Sequence, residues 1–168
     1  MMSDYQQQIE QASEHLGKYL AQHHLVAVTA ESCTGGGVAS AITDISGSSA
    51  WFDRSFVTYT NQAKEQMLGV QHQTLVDHGA VSQSVVEEMA IGALRHSNGD
   101  ISVAISGIAG PGGGTENKPV GTVWFAWAAR NGQVISRCLL LEGDRKVVRY
   151  QAVVEALNGL VVISESMS

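Results

Sequence analysis

LVAVTAESCTGGG, residues 25–37, joins two patterns that decide what kind of sheet this chain builds. Its first six residues form the short, largely apolar, β-branched run expected of a strand covered on both faces. Three glycines close the segment, and beyond them Val38, Ala41, Ile42 and Ile45 fall at helical spacing. A strand that turns through glycines into a helix is the repeating unit of α/β sheets. Upstream, Ile9, Ala12, Leu16 and Leu20 predict an amphipathic helix over 5–23. Downstream, FVTYT (56–60) predicts a second strand, followed by a helix with Asn61 as N-cap and Gly69 as stop. Ser84 and Glu87 have capping-box spacing ahead of Met89, Ala90, Ala93 and Leu94, in a helix that ends near 97–100. ISVAIS (101–106) is another buried-strand pattern, and GIAGPGGGTENKP (107–119) a long loop with five glycines and both prolines. VGTVWFAWAA and QVISRCLLLE flank Asn131-Gly132, a hairpin signal that makes one strand pair antiparallel. Asp144 caps a last helix bearing Val147, Tyr150, Val154, Leu157 and Val161. The order α-β-α-β-α-α-β-β-β-α predicts a three-layer α/β/α fold with a mixed sheet, one domain over 1–168. Ligands in such sheets sit beyond the carboxyl ends of the strands. The AESCTGGG turn, the Tyr59 turn and the glycine loop all fall there if their strands run parallel.

The bulk composition narrows the function classes. The 168 residues are 44% hydrophobic and 15% charged, a composition that folds rather than stays disordered. A formal net charge of −6 argues against broad binding to nucleic acid or an anionic membrane, though a few local cations can still hold an anionic small molecule. The polar start MMSDYQQQIEQ is unlike a secretory leader, and no uninterrupted apolar run approaches the roughly 18–20 residues of a membrane span. With two cysteines, Cys33 and Cys138, the expectation is a reduced, cytoplasmic protein.

Common phosphate motifs fail: the Walker pattern from Gly107 meets Gly113 where lysine is needed, and the dinucleotide pattern from Gly110 meets Thr115. The glycine loop remains able to bring backbone N–H groups to a ligand, with Ser106, Thr115 and Lys118 near it. Ser32 lacks the Gly-x-Ser-x-Gly frame and any Ser-x-x-Lys, but its hydroxyl lies beside the open N–H groups of a helix start, which stabilise an oxyanion or a phosphate. Two readings compete: Ser32 or Thr34 as a plain N-cap, and Ser32 as a nucleophile. Cys33 is a rival nucleophile if the helix start lowers its pKa, and a buried thiol otherwise. None of the six histidines lies near these turns, which disfavours a Ser-His triad, and none has metal-ligand spacing. Lys64 falls in the first turn of the helix after Tyr59, one strand from Ser32, where burial could depress its pKa enough to make it a base. Arg145, Lys146 and Arg149 are the densest cationic group, at a helix start, and Arg145 is the residue expected to hold a substrate phosphate. An ion pair of Arg145 with Asp144 or Glu142 is the alternative there, and the loop at 107–115 the alternative phosphate site.

AESCTGG, GSSAWF, VTYTNQAKEQMLGV, HGAVS, ISGIAGPGGGTENKPVGTVW and GDRKVVR, in this order, resemble the CinA C-terminal domain family from about residue 10 to 160. The likeness is greatest to its stand-alone members, the nicotinamide-nucleotide amidases; the larger two-domain members carry a further N-terminal domain for which 168 residues leave no room. This resemblance implies an α/β/α fold, often dimeric, and hydrolysis of nicotinamide mononucleotide to nicotinate mononucleotide and ammonia without metal or organic cofactor. It also implies Ser32 as nucleophile, with Lys64 as base directly or through Tyr59. Substrate contacts are expected from Thr34, Gly35, Gly36, Ser49, Ser106, Gly107 and Gly110, besides Arg145. Two departures stand out: Ser106 where family members often have threonine, and Gly112, Gly113 and Gly114 where they often have Asp-Gly-Gly.

Overall fold

The computed structural model describes the backbone of residues 2–167 and the side chains of 4–167. In chain order the elements are α1 (Met2–His23), β1 (Ala27–Glu31), α2 (Gly37–Thr43), a 3-10 turn (Ser48–Ala50), β2 (Phe52–Val57), α3 (Asn61–Leu68), α4 (His72–His78), α5 (Gln83–Arg95), β3 (Ile101–Gly107), β4 (Thr122–Ala129), β5 (Val134–Leu140) and α6 (Arg145–Glu165). The strands form one sheet in the order β2-β1-β3-β4-β5. β1 pairs in parallel with β2 on one side and β3 on the other, whereas β3-β4 and β4-β5 are antiparallel. The sheet is therefore mixed, with helices on both faces. One core gathers Leu16 and Leu20 of α1, Val38 and Ile42 of α2, and Val148, Leu157 and Leu160 of α6 against Val103 and Phe125. The opposite core gathers Leu68, Val85, Val86 and Met89 of α3 and α5 against Val28, Ala104 and Ala126. Successive residues of β3 feed alternate cores, which is why its sequence is apolar throughout.

Several boundaries differ from the sequence reading. β2 spans Phe52–Val57 rather than 56–60: it is an edge strand, so Asp53, Arg54 and Ser55 are tolerated in its ladder, and Thr58–Thr60 form the loop beyond it. Thr60, not Asn61, caps α3, accepting from Ala63 N–H, while Gly69 closes the helix at φ 72° as expected. Ser82, not Ser84, caps α5 by accepting from Val85 N–H. Helix α4 was not foreseen; its seven residues bury only Leu75 and so carry no apolar stripe. Asp144 caps α6 as expected, with its carboxylate 3.0 Å from Val147 N. α6 is long and apolar enough to cross a membrane by length and composition, yet half of its apolar window is buried inside the protein, as in a core helix.

The topology fixes where the site must lie. From β1 the chain crosses to β2 on one side and later returns to β3 on the other, so β1 and β3 flank a switch point. Ser32 follows β1 at its carboxyl end and donates its N–H to Ile105 O of β3 at 3.0 Å.

Candidate active site

Ser32 and Lys64, 32 residues apart in the chain, meet at this end of the sheet, with Lys64 Nζ 3.1 Å from Ser32 Oγ. The amine also donates to Thr58 O at 2.8 Å. That bond is a product of the topology: Thr58 N–H donates to Glu31 O at 2.8 Å, carrying the β1-β2 pairing one residue past the strands and setting the start of α3 beside Ser32. Lys64 is 1% exposed, and Ser32 8%. Burial lowers the Lys64 pKa to about 8, against a smaller opposing effect of Cys33. About one amine in ten is then neutral at pH 7, against fewer than one in a thousand for an ordinary lysine. A neutral amine in contact with a hydroxyl is the arrangement of a serine nucleophile and its base.

Neither Ser32 nor Thr34 is an N-cap. Gly36, at φ 95°, occupies the cap position of α2 without a side-chain bond, and the capping is done by Glu31. The Glu31 carboxylate, fully buried, accepts from Gly36 N–H, Val38 N–H and Ala39 N–H, and from the hydroxyls of Thr34, Thr29 and Ser55. Sequence reasoning missed it, because nothing in the local pattern shows a last strand residue folding back over the helix start. The consequence is chemical: these N–H groups of the first turn of α2 already hold an anion. Gly35 and Gly36, at φ 58° and 95°, are required by the turn, and a Cβ on Gly35 would come within 3.3 Å of Arg149. The turn geometry requires glycine at both, and the approach of Arg149 adds a second reason at Gly35.

Cys33 is 6% exposed and burial raises its thiol to a pKa of about 11, so it stays protonated at neutral pH and is a poor nucleophile. Tyr59 is 59% exposed. Among the described residues its hydroxyl meets only Arg145, at 3.0 Å; of the two alternatives, a relay through Tyr59 and direct contact, the geometry has Lys64 and Ser32 touching directly. Among the described residues Arg145 makes no ion pair with Asp144 or Glu142, and it donates also to Gly110 O at 2.8 Å. It thereby brings together the two alternatives for a phosphate site, its own guanidinium and the glycine loop. Lys118 is turned away, bonded to His78 O. Ser106 is buried at the end of β3, and Gly107 is packed so tightly that a Cβ would lie 2.7 Å from Val123. Ser49, in the 3-10 turn before β2, lies at the amino end of the parallel strands, opposite the edge that bears Ser32, so one chain does not bring it to the others.

The sequence of the CinA C-terminal domain matches residues 9–163. The chain belongs to the CinA C-terminal domain family. The nicotinamide-nucleotide amidohydrolase PncC of Escherichia coli (strain K12) is 58% identical over 153 residues, 91% of this chain and 93% of that protein. A CinA-like protein of Akkermansia muciniphila is 52% identical over 85% of this chain, which spans only 34% of that longer protein. Among solved structures, the competence/damage inducible protein CihA from Agrobacterium tumefaciens superposes with a TM-score of 0.91 at 46% identity, covering 94% of this chain and 96% of that one. Within this CinA domain, Gly112–Gly114 are exposed, and a Cβ at Gly112 would meet nothing within 4 Å. The missing carboxylate therefore leaves no gap in packing.

A cleft of about 570 Å³ between α1, α2 and α6 is lined by Gln6, Glu10, Ser40, Asp44 and Tyr150 but not by Ser32 or Lys64. Reactive groups rather than cleft size define the candidate active site, because the buried amine and the hydroxyl it touches are absent from that cleft.

Proposed function

We propose that this protein is a nicotinamide-nucleotide amidase that hydrolyses nicotinamide mononucleotide to nicotinate mononucleotide and ammonia, with Ser32 as nucleophile and Lys64 as base. Its class, amidohydrolase, follows from the curated relatives named as such at 58% identity over nine-tenths of the chain. The observation that carries the mechanism is the 3.1 Å contact between a buried, low-pKa amine and the serine hydroxyl.

The Thr58 carbonyl takes one N–H of the neutral amine, leaving its lone pair for the Ser32 proton. As that proton moves to Lys64, Ser32 Oγ bonds to the carboxamide carbon and the carbonyl oxygen becomes an oxyanion. The Lys64 ammonium then protonates the amide nitrogen, the C–N bond breaks, and ammonia leaves an acyl ester on Ser32. Water attacks that ester while Lys64 takes its proton, the ester C–O bond breaks, and Ser32 regains a proton as the carboxylic acid departs. Arg145 uses only part of its five-donor guanidinium on Gly110 and Tyr59, and the remainder is available to the substrate phosphate.

Ammonia release from nicotinamide mononucleotide, nicotinamide riboside and free nicotinamide tests this reading. The mononucleotide should be the best substrate by kcat/KM. Binding of the nucleotides without ammonia from any of the three would replace the amidase reading with a non-catalytic nucleotide-binding module.

A further inference from the structure

We infer that the N–H groups of Cys33 and Thr34 hold the oxyanion, and that Arg149 is the positioning residue that fixes them. The inference rests on the amide-hydrolysis reading and narrows it to two peptide groups. Of the seven N–H groups from Ser32 to Val38, five are committed: Ser32 to Ile105 O, Gly35 to Ser32 O, Gly36 and Val38 to the Glu31 carboxylate, and Gly37 to Thr34 O. Among the described residues, the Thr34 N–H meets no acceptor, and the Cys33 N–H meets only its own thiol sulfur, a weak acceptor that an oxyanion outcompetes. They immediately follow the nucleophile, where the residue after the serine of hydrolase elbows also supplies a donor.

Their direction follows from the carbonyls. The single cis peptide among the described residues is Gly110–Pro111, so the peptides of this turn are trans and each N–H points opposite to the preceding C=O. Arg149 donates from Nε to Cys33 O at 3.0 Å and from a terminal nitrogen to Thr34 O at 3.2 Å. Gly35 N–H holds Ser32 O at 3.0 Å. The carbonyls of residues 32 and 33 are thus anchored, and the N–H groups of 33 and 34 are turned away from those anchors. A planar guanidinium grips two carbonyls in one fixed relation, which a single ammonium does not. Its charge on the Cys33 carbonyl also polarises that peptide and strengthens the Thr34 N–H as a donor. Donors fixed before the reaction are the ones that stabilise a developing oxyanion.

The test compares wild type, Arg149→Met and Arg149→Lys on nicotinamide mononucleotide, with pyridine-3-carbaldehyde mononucleotide as an inhibitor whose hemiacetal with Ser32 needs the same donors. Arg149→Met should lose about 10²-fold in kcat, with KM within about threefold, and the aldehyde should lose affinity by a similar factor. Arg149→Lys should recover only part of the rate, and it serves as the probe should the Met variant fail to fold. A raised KM at unchanged kcat would overturn the inference by placing Arg149 on the substrate, and so would unchanged kcat in both variants. Acylation by p-nitrophenyl acetate, which needs serine and oxyanion donors but no nucleotide, separates the two readings. A wild type inert to the nucleotide, yet acylated faster than Arg149→Met by the same factor, sinks the substrate reading alone. Equal acylation of both proteins sinks the positioning role.

Discussion

In the proposed mechanism, catalysis and stability depend on the same proton at Lys64. The amine is buried and its pKa falls from 10.5 to about 8, so the folded protein binds fewer protons there than the unfolded chain between those values. Stability contributed by this site therefore rises with pH across about 8 to 10.5, and below that window the charged amine costs the fold about 3 kcal/mol. Activity should follow the neutral amine, rising with pH and levelling above about 8. In Lys64→Met that limb and most of the rate should vanish, while at pH 7 the melting temperature should rise. A variant both inactive and less stable at pH 7 would mean the charged amine is favoured where it lies. Lys64→Arg should remain inactive, since a guanidinium does not give up its proton. The role proposed for Arg145 concerns a different part of the substrate. Arg145→Ala should lower kcat/KM for nicotinamide mononucleotide by about 1.5–3 kcal/mol, the worth of a charged hydrogen bond, and leave the riboside nearly unchanged. Equal losses on both would remove the phosphate from Arg145 and favour the loop at 107–115.

Among the elements, α2 and α3 are set against β1 and β2 by a few groups whose loss should be measurable. Glu31→Gln would replace an acceptor of six hydrogen bonds by an amide whose NH2 must face other donors. Urea unfolding should show a loss of about 2–4 kcal/mol, and a loss below about 0.5 kcal/mol would mean that the helix start re-forms around water. Gly92 of α5 lies against α3, where a Cβ would come 2.0 Å from Leu68 O. Backbone cannot yield as a side-chain tip can, so Gly92→Ala should push α3, which carries Lys64, and cost about 1–3 kcal/mol. Its kcat should fall at unchanged KM, although residue 92 touches no substrate. The local signals for these elements were unequal. Helical and strand periodicity located α1, α2, α5, α6 and β3, because each has one apolar face or is apolar throughout, and the Asn131-Gly132 turn located the β4-β5 hairpin. β2 was misplaced because an edge strand shows no such pattern. Ser84 is read as the cap because Glu87 stands three residues after it, but Ser82 fills that position with Val85 at the box site, and Glu87 instead accepts from Gln83.

Across the whole molecule, parallel strands β2, β1 and β3 bring three distant stretches of chain to one edge, and the site is assembled there. Motif spacing, on the condition that the strands run parallel, together with the family resemblance, put Ser32 and Lys64 at one edge. What they could not show is which groups fill the space around them. Tyr59, one of the two routes considered for the proton, bonds to Arg145 instead, because β2 ends before it and the loop carries it outward. Glu31 and Arg149 lie within AESCTGG and GDRKVVR, but nothing local signals their roles, since each acts through contacts made only once β1, α2 and α6 have packed. The fold thus presents a buried amine, a hydroxyl and a turn whose carbonyls are held from behind, and this combination is what amide hydrolysis by a serine needs. Ammonia release from nicotinamide mononucleotide by Ser32→Ala, with calorimetric binding of the same ligand as a check on the site, tests that directly. The variant should bind the nucleotide as wild type does and release ammonia at least 10³-fold more slowly; turnover within tenfold of wild type would contradict Ser32 as the nucleophile.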